Sequence, residues 1–145
     1  MTLASAGSLL VAQGFKAQRT LTFDGNASFG AIGNVPLFTV SGEILILSLI
    51  PFCTTDLVGA TATLALGVTG ATALFIAATT ATDIDANEFW VDTTPDANGV
   101  AIPAGLKDVA STDNIVGTGA TAAITAGVIR FDLFWLPLSA DAAGS

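Results

Sequence analysis

Two stretches of this chain alternate in hydropathy with a period of two, which restricts them to β structure. In residues 61–68, Ala62, Leu64, Leu66 and Val68 fall on one face and Thr61, Thr63, Ala65 and Gly67 on the other. A strand with one face on a core and a threonine layer outside gives this pattern; a helix does not. In residues 128–138, Ile129, Phe131, Leu133 and Trp135 oppose Val128, Arg130, Asp132, Phe134 and Leu136. Arg130 and Asp132 share a face, which predicts a surface ion pair of little energetic weight.

The other apolar segments are short and bounded by turn residues. Residues 43–52 are almost continuously apolar up to the closing Pro51 and Phe52. Such a run predicts a strand covered on both faces, as at the centre of a sandwich or in a subunit interface. After a Gly67-Val68-Thr69-Gly70 turn, residues 71–79 return with Leu74 and Ile76 in register, as the second arm of a hairpin would. Shorter strands are expected at 21–23, 37–40, 88–92 and 115–116. Asp24-Gly25-Asn26, Ser41-Gly42 and the Pro- and Gly-containing stretch 93–105 read as turns and loop. Neither a helix of ordinary length nor an internal repeat is evident. The expectation is an all-β chain: a single β-sandwich or barrel-like domain over 21–139, an extended N-terminal arm over 1–20 and a short C-terminal tail over 140–145.

The arm is set apart by composition. Residues 1–13 are small and weakly apolar, Gln13-Gly14 breaks any helix, and Lys16 and Arg19 supply half of the chain's 4 basic residues. This reads as a segment with two cationic anchor points, ordered mainly when docked. A frayed terminus or an edge strand would carry the same pattern.

Composition bounds the function. Hydrophobic residues make up 52% of the chain and charged residues 11%, against about 25% charged in an average soluble domain. A chain so poor in solvating charge either enters a membrane or covers much of its surface with protein. Residues 57–82 carry no charge and exceed the roughly 20 residues of a membrane span. They are rich in threonine, glycine and alanine, however, and read as two short strands. No Lys/Arg cluster flanks them. The first residues lack a positive region ahead of their apolar part, so no secretory signal is expected and synthesis is placed in a cytoplasm. Net charge is −8 and the basic residues are scattered, which argues against nucleic acid as a partner.

Chemistry finds few residues to work with. There is no histidine and no tyrosine, and the single cysteine, Cys53, allows neither an internal disulfide nor a thiolate zinc site. Cys53 follows an apolar strand and is expected to be buried and inert. Asp83-x-Asp85-x-Asn87 begins like a calcium loop, but Glu88 stands where the turn needs glycine and Thr94 where the bidentate Glu belongs. Trp90 and Trp135 lie in apolar strands and are expected in the core instead of on a sugar platform. The Gly117-Thr118-Gly119 stretch lacks the further glycine of a phosphate loop. No catalytic residue, metal or cofactor is expected, and the chain is read as non-enzymatic.

The segments Ala123-Ile124-Thr125-Ala126-Gly127-Val128-Ile129-Arg130-Phe131 and Phe134-Trp135-Leu136-Pro137-Leu138-Ser139 resemble the ending of small structural proteins of tailed phages. Thr63-Leu64-Ala65-Leu66-Gly67-Val68 and Leu74-Phe75-Ile76-Ala77-Ala78-Thr79 resemble the middle of the same group, so the likeness spans about residues 43–139. The group is the capsid decoration, or cement, proteins of the lambda type and their relatives. The resemblance implies a virion protein on the outer capsid surface, a homotrimer whose partner is the major capsid protein lattice. It further implies a capsid-binding arm, here Leu10, Phe15, Lys16 and Arg19, able to add a strand to a shell sheet. A trimeric tail, baseplate or fibre module of a phage is the alternative, weakened by the lack of repeats. A bacterial adhesion domain is weakened by the lack of an export signal.

Overall fold

A computed structural model describes residues 14–144. They form strands β1 (Phe15–Thr22), β2 (Gly33–Phe38), β3 (Val40–Ser41), β4 (Ile44–Val58), β5 (Thr63–Val68), β6 (Ala71–Thr80), β7 (Glu88–Phe89), β8 (Val109–Ser111), β9 (Ile115–Ala120), β10 (Ala126–Pro137) and β11 (Ala143–Gly144). The helical content among them is two single turns of 3-10 helix, Ala81–Asp83 and Ala104–Leu106. The chain is all-β, and its strands sort into two main sheets. The first runs β1-β10-β4-β7, with β8 also paired to β4; the second runs β2-β9-β5-β6. All pairings between strands are antiparallel.

One core lies between the sheets. From the first come Leu21, Ile44, Ile46, Leu49, Cys53, Ile129, Phe131, Leu133 and Trp135; from the second Val35, Leu37, Leu64, Leu66, Val68, Ile76 and Ile115. The alternation of residues 128–138 is the direct print of this arrangement. In β4 the spacing is irregular, because Ile46 and Leu49 both face the core at 0% exposure although they differ by three positions. A register shift explains it: Trp135 pairs with Ile46 while Phe134 pairs with Ser48, which leaves Leu47 as an extra residue. Such a bulge reverses the parity of a strand and lets both isoleucine and leucine reach the same side.

The excursion between β6 and β8 plugs one side of the sandwich. It carries Ala81, Ile84, Trp90, Val91 and Leu106 into the core. The indole of Trp90 is fully buried, and its Nε1 donates to Thr79 Oγ1 at 3.0 Å. Thr79 Oγ1 in turn donates to the Ala77 carbonyl at 3.0 Å, so neither polar group is left unpaired.

Three expectations are corrected, and the short C-terminal tail is given its place. The arm does not extend over 1–20: residues 15–20 lie in β1, an edge strand in unbroken register with β10 from Phe15 opposite Trp135 to Thr22 opposite Val128. Residues 1–13 of the expected arm, Leu10 among them, lie outside the described residues. The C-terminal tail is tied down, since Gly144 pairs with Val40 and Ser139 Oγ accepts from the Glu43 N–H at 3.0 Å. Leu74 is 47% exposed, because register shifts against β5 put Ile76, and not Leu74, opposite Leu66. The run 43–52 is fully covered on one face only; Leu45, Leu47, Ile50 and Phe52 on the other are half-buried.

Thr79→Val keeps the shape of the side chain and strands the Trp90 N–H in the core. A loss of about 1–3 kcal/mol is expected, read as a lower urea midpoint at unchanged slope. A variant as stable as the parent would remove the Trp90–Thr79 bond from the account.

Candidate functional site

Strand β1 holds three of the four expected site residues but sends them to different places. Phe15 stacks on Trp135, ring centroids 5.0 Å apart. Gly14 precedes it with φ +88°, and a Cβ there would come within 2.7 Å of Leu47 Cδ1, so the turn into β1 needs glycine. Lys16 points to the outer face of the sheet. Arg19 stands opposite core-buried Phe131, so it leaves the strand on the inward side.

On the outer face Lys16, Gln18 and Arg130 converge on Asp132. Its carboxylate accepts from Gln18 Nε2 at 2.6 Å and Arg130 Nε at 3.0 Å, and Lys16 Nζ lies 3.6 Å away. The sequence predicts the Arg130–Asp132 pair, but not its setting. Asp132 is only 8% exposed, in the middle of the sheet, and its three partners compensate the burial. The heads of Lys16 and Arg130 remain more than a third exposed, so solvent screens their share. Both cations also lie over aromatic rings, Lys16 5.7 Å from the Phe134 centroid and Arg130 5.3 Å from that of Phe52. Around this knot lie the half-buried Leu45, Leu47, Ile50, Phe89 and Leu136.

Charge is divided unevenly over the surface. Of the 4 basic residues, Lys16, Arg19 and Arg130 lie on β1 and β10, where Asp132 is the sole carboxylate. The second sheet carries no ionisable residue in any of its four strands. Its outward side presents Thr63, Ala65, Val116 and Thr118; Ala65 and Val116 are buried yet stand apart from the core cluster.

The edge of β1 is open. Phe23 N–H donates to the Gly127 carbonyl at 2.9 Å, in step with the β1–β10 register. Backbone groups alternate sides along an antiparallel strand, so those of Ala17, Arg19 and Leu21 face β10. Those of Lys16, Gln18, Thr20 and Thr22 face outward, where no other strand among the described residues pairs with β1. Beside this edge a groove of about 300 Å³ opens between the two sheets, lined by Gln18, Arg19, Ser28, Pro36, Leu37, Phe38 and Thr39. Arg19 has no ion-pair partner among the described residues.

Carboxylates around residues 83–88 are bonded to the backbone of that segment. Asp56 Oδ1 accepts from the Ala86 N–H at 2.7 Å and Glu88 Oε2 from that of Asp85 at 3.1 Å. Among the described residues no cluster of acidic, histidine or cysteine side chains is arranged to hold a metal. No helix among them is long and apolar enough to cross a membrane. Comparison with family models, with curated proteins and with solved structures gave no match to this chain.

Cys53 is fully buried, its Sγ donating to the Thr55 carbonyl at 3.1 Å. Burial pushes the thiol up to about 11 from 9.0; the Thr55 bond opposes the shift, and Asp56, Asp85 and Glu88 add to it. The folded state therefore favours the protonated thiol. Its contribution is complete below pH 9 and is lost as pH rises through 11. Stability should fall over that window by about 2–3 kcal/mol more than in Cys53→Ala, measured by urea titration at each pH. Parallel profiles for the two chains would contradict the buried-thiol assignment.

Proposed function

We propose that this chain is a structural, non-enzymatic protein that decorates the outside of an icosahedral phage capsid. The observation that carries this reading is the division of its surface. An acidic molecule concentrates three of its cations on β1 and β10, beside an open strand edge and a half-buried apolar face. A second sheet is free of charge altogether. Both are surfaces made for other protein, in a chain whose composition demands such cover. The sequence resemblance to decoration proteins supplies the kind of partner, the major capsid protein lattice.

The function follows from mass action. A protein that binds the assembled lattice and not its separated subunits stabilises the lattice, and many copies sum small energies per site. The cationic β1–β10 surface steers approach to an acidic shell. The charge-free sheet is where copies of a chain of net charge −8 meet with least repulsion, consistent with a trimer.

Shells stripped of the protein should take up the wild-type chain on co-sedimentation. Lys16→Glu/Arg19→Glu should lower uptake by about tenfold or more at low salt. A chain beginning at Gly14 isolates residues 1–13, whereas one beginning at Thr20 would delete most of β1. Uptake by the charge-reversed chain equal to wild type would overturn the cationic surface as the attachment site. Light scattering at micromolar concentration should give a trimer mass, and Thr118→Lys should lower it. A monomer for the wild type would remove self-association from the reading.

A further inference from the structure

A sheet edge is an open ladder of hydrogen-bonding groups, and folded proteins ordinarily block it. Among the described residues, the other edges of the two main sheets are short or irregular. Strand β2 contains Pro36 and a register shift against β9. Strands β7 and β8 are two and three residues long. Strand β6 is distorted by two register shifts, and Gly105 of the second 3-10 turn lies beside its Phe75 carbonyl. Strand β1 is different, with eight residues in continuous register against β10.

Its free side carries the outward N–H and C=O groups of Lys16, Gln18, Thr20 and Thr22. The groove beside it is lined by Pro36, Leu37 and Phe38 together with Arg19, which has no ion-pair partner among the described residues. The loop from β1 to β2 contributes Ser28 to the groove and exposes Phe29 and Ile32, at 42% and 65%. Pairing with β1 of a second copy would gather four cations on one ribbon, since β1 holds no acidic residue. The charge therefore selects an acidic occupant.

We propose that the β1 edge is a strand-addition site for an extended segment of another protein carrying an Asp or Glu that faces the groove. The backbone of the segment continues the sheet beyond β1, its carboxylate pairs with Arg19, and its apolar neighbours lie against the exposed Pro36. The inference deepens the capsid reading by naming the chemistry of the contact, and takes from that reading only the identity of the partner.

The test uses the full chain and three synthetic peptides matched in length to β1. One alternates Thr and Val with a central Glu, one has Lys in place of the Glu, and one is the Glu peptide N-methylated at every residue. NMR titration should show the Glu peptide binding at least about tenfold more tightly than the Lys peptide. The N-methylated peptide should not bind. The Glu peptide should slow amide exchange at Gln18 and Thr20, and Arg19→Glu should reverse the preference between Glu and Lys. Equal affinity for the two charged peptides, no binding of either, or binding without slowed exchange at Gln18 and Thr20 would each overturn the site. The capsid reading fails separately. Peptides that bind as expected while shells take up no protein would leave the edge standing alone. Shells that take up Arg19→Glu as well as wild type would sink the edge and spare the reading.

Discussion

Strand β10 lies between β1 and β4, and the rest of the structure is phased from it. Its inward residues Ile129, Phe131, Leu133 and Trp135 meet Cys53, Pro51, Leu49 and Ile46 of β4 across the ladder. The extra residue at Leu47 keeps that match despite the irregular spacing in β4. Gly127, with φ +115°, stands where a Cβ would strike Leu57, so glycine lets β10 cross close to the end of β4. Once β10 is placed, β1 is fixed on its far side, and the outward residues Arg130, Asp132 and Phe134 receive Thr20, Gln18 and Lys16 in order.

The same pairing decides what faces solvent. Asp132 sits at the centre of a polar knot because β1 brings Lys16 and Gln18 to it. Arg19, one register position on, is turned the other way towards the groove between the sheets. One side of the sandwich is closed by the excursion that buries Trp90 and Leu106. The opposite side, between β1 and β2, has backbone groups and a guanidinium without a partner among the described residues. Asymmetry of closure, more than any single residue, gives the molecule its candidate docking edge.

Much of the fold is legible in the sequence wherever a strand buries one face completely. Residues 61–68 and 128–138 alternate because Leu64, Leu66, Phe131 and Leu133 have nowhere to go but the core. Strand β1 is not legible in that way: its inward positions read Phe15, Ala17, Arg19 and Leu21, and the arginine breaks the period. Strand β9 is equally hidden, since Gly117, Thr118, Gly119 and Ala120 offer little side chain; pairing to β2 and β5 on both sides makes it a strand. Of the expected site residues, Phe15, Lys16 and Arg19 share a strand, but only the register with β10 reveals that they serve a ring stack, an ion knot and a groove.

The central claim is that this molecule works by its surfaces on the outside of a shell, with the β1 side towards its partner. A cryo-EM map of shells decorated with the protein tests it most directly. Density for the sandwich is expected on the outer surface, with β1 and its groove facing the lattice and a partner segment continuing the first sheet. Density that places β1 towards solvent, or shells that carry no density for the protein at all, would contradict it.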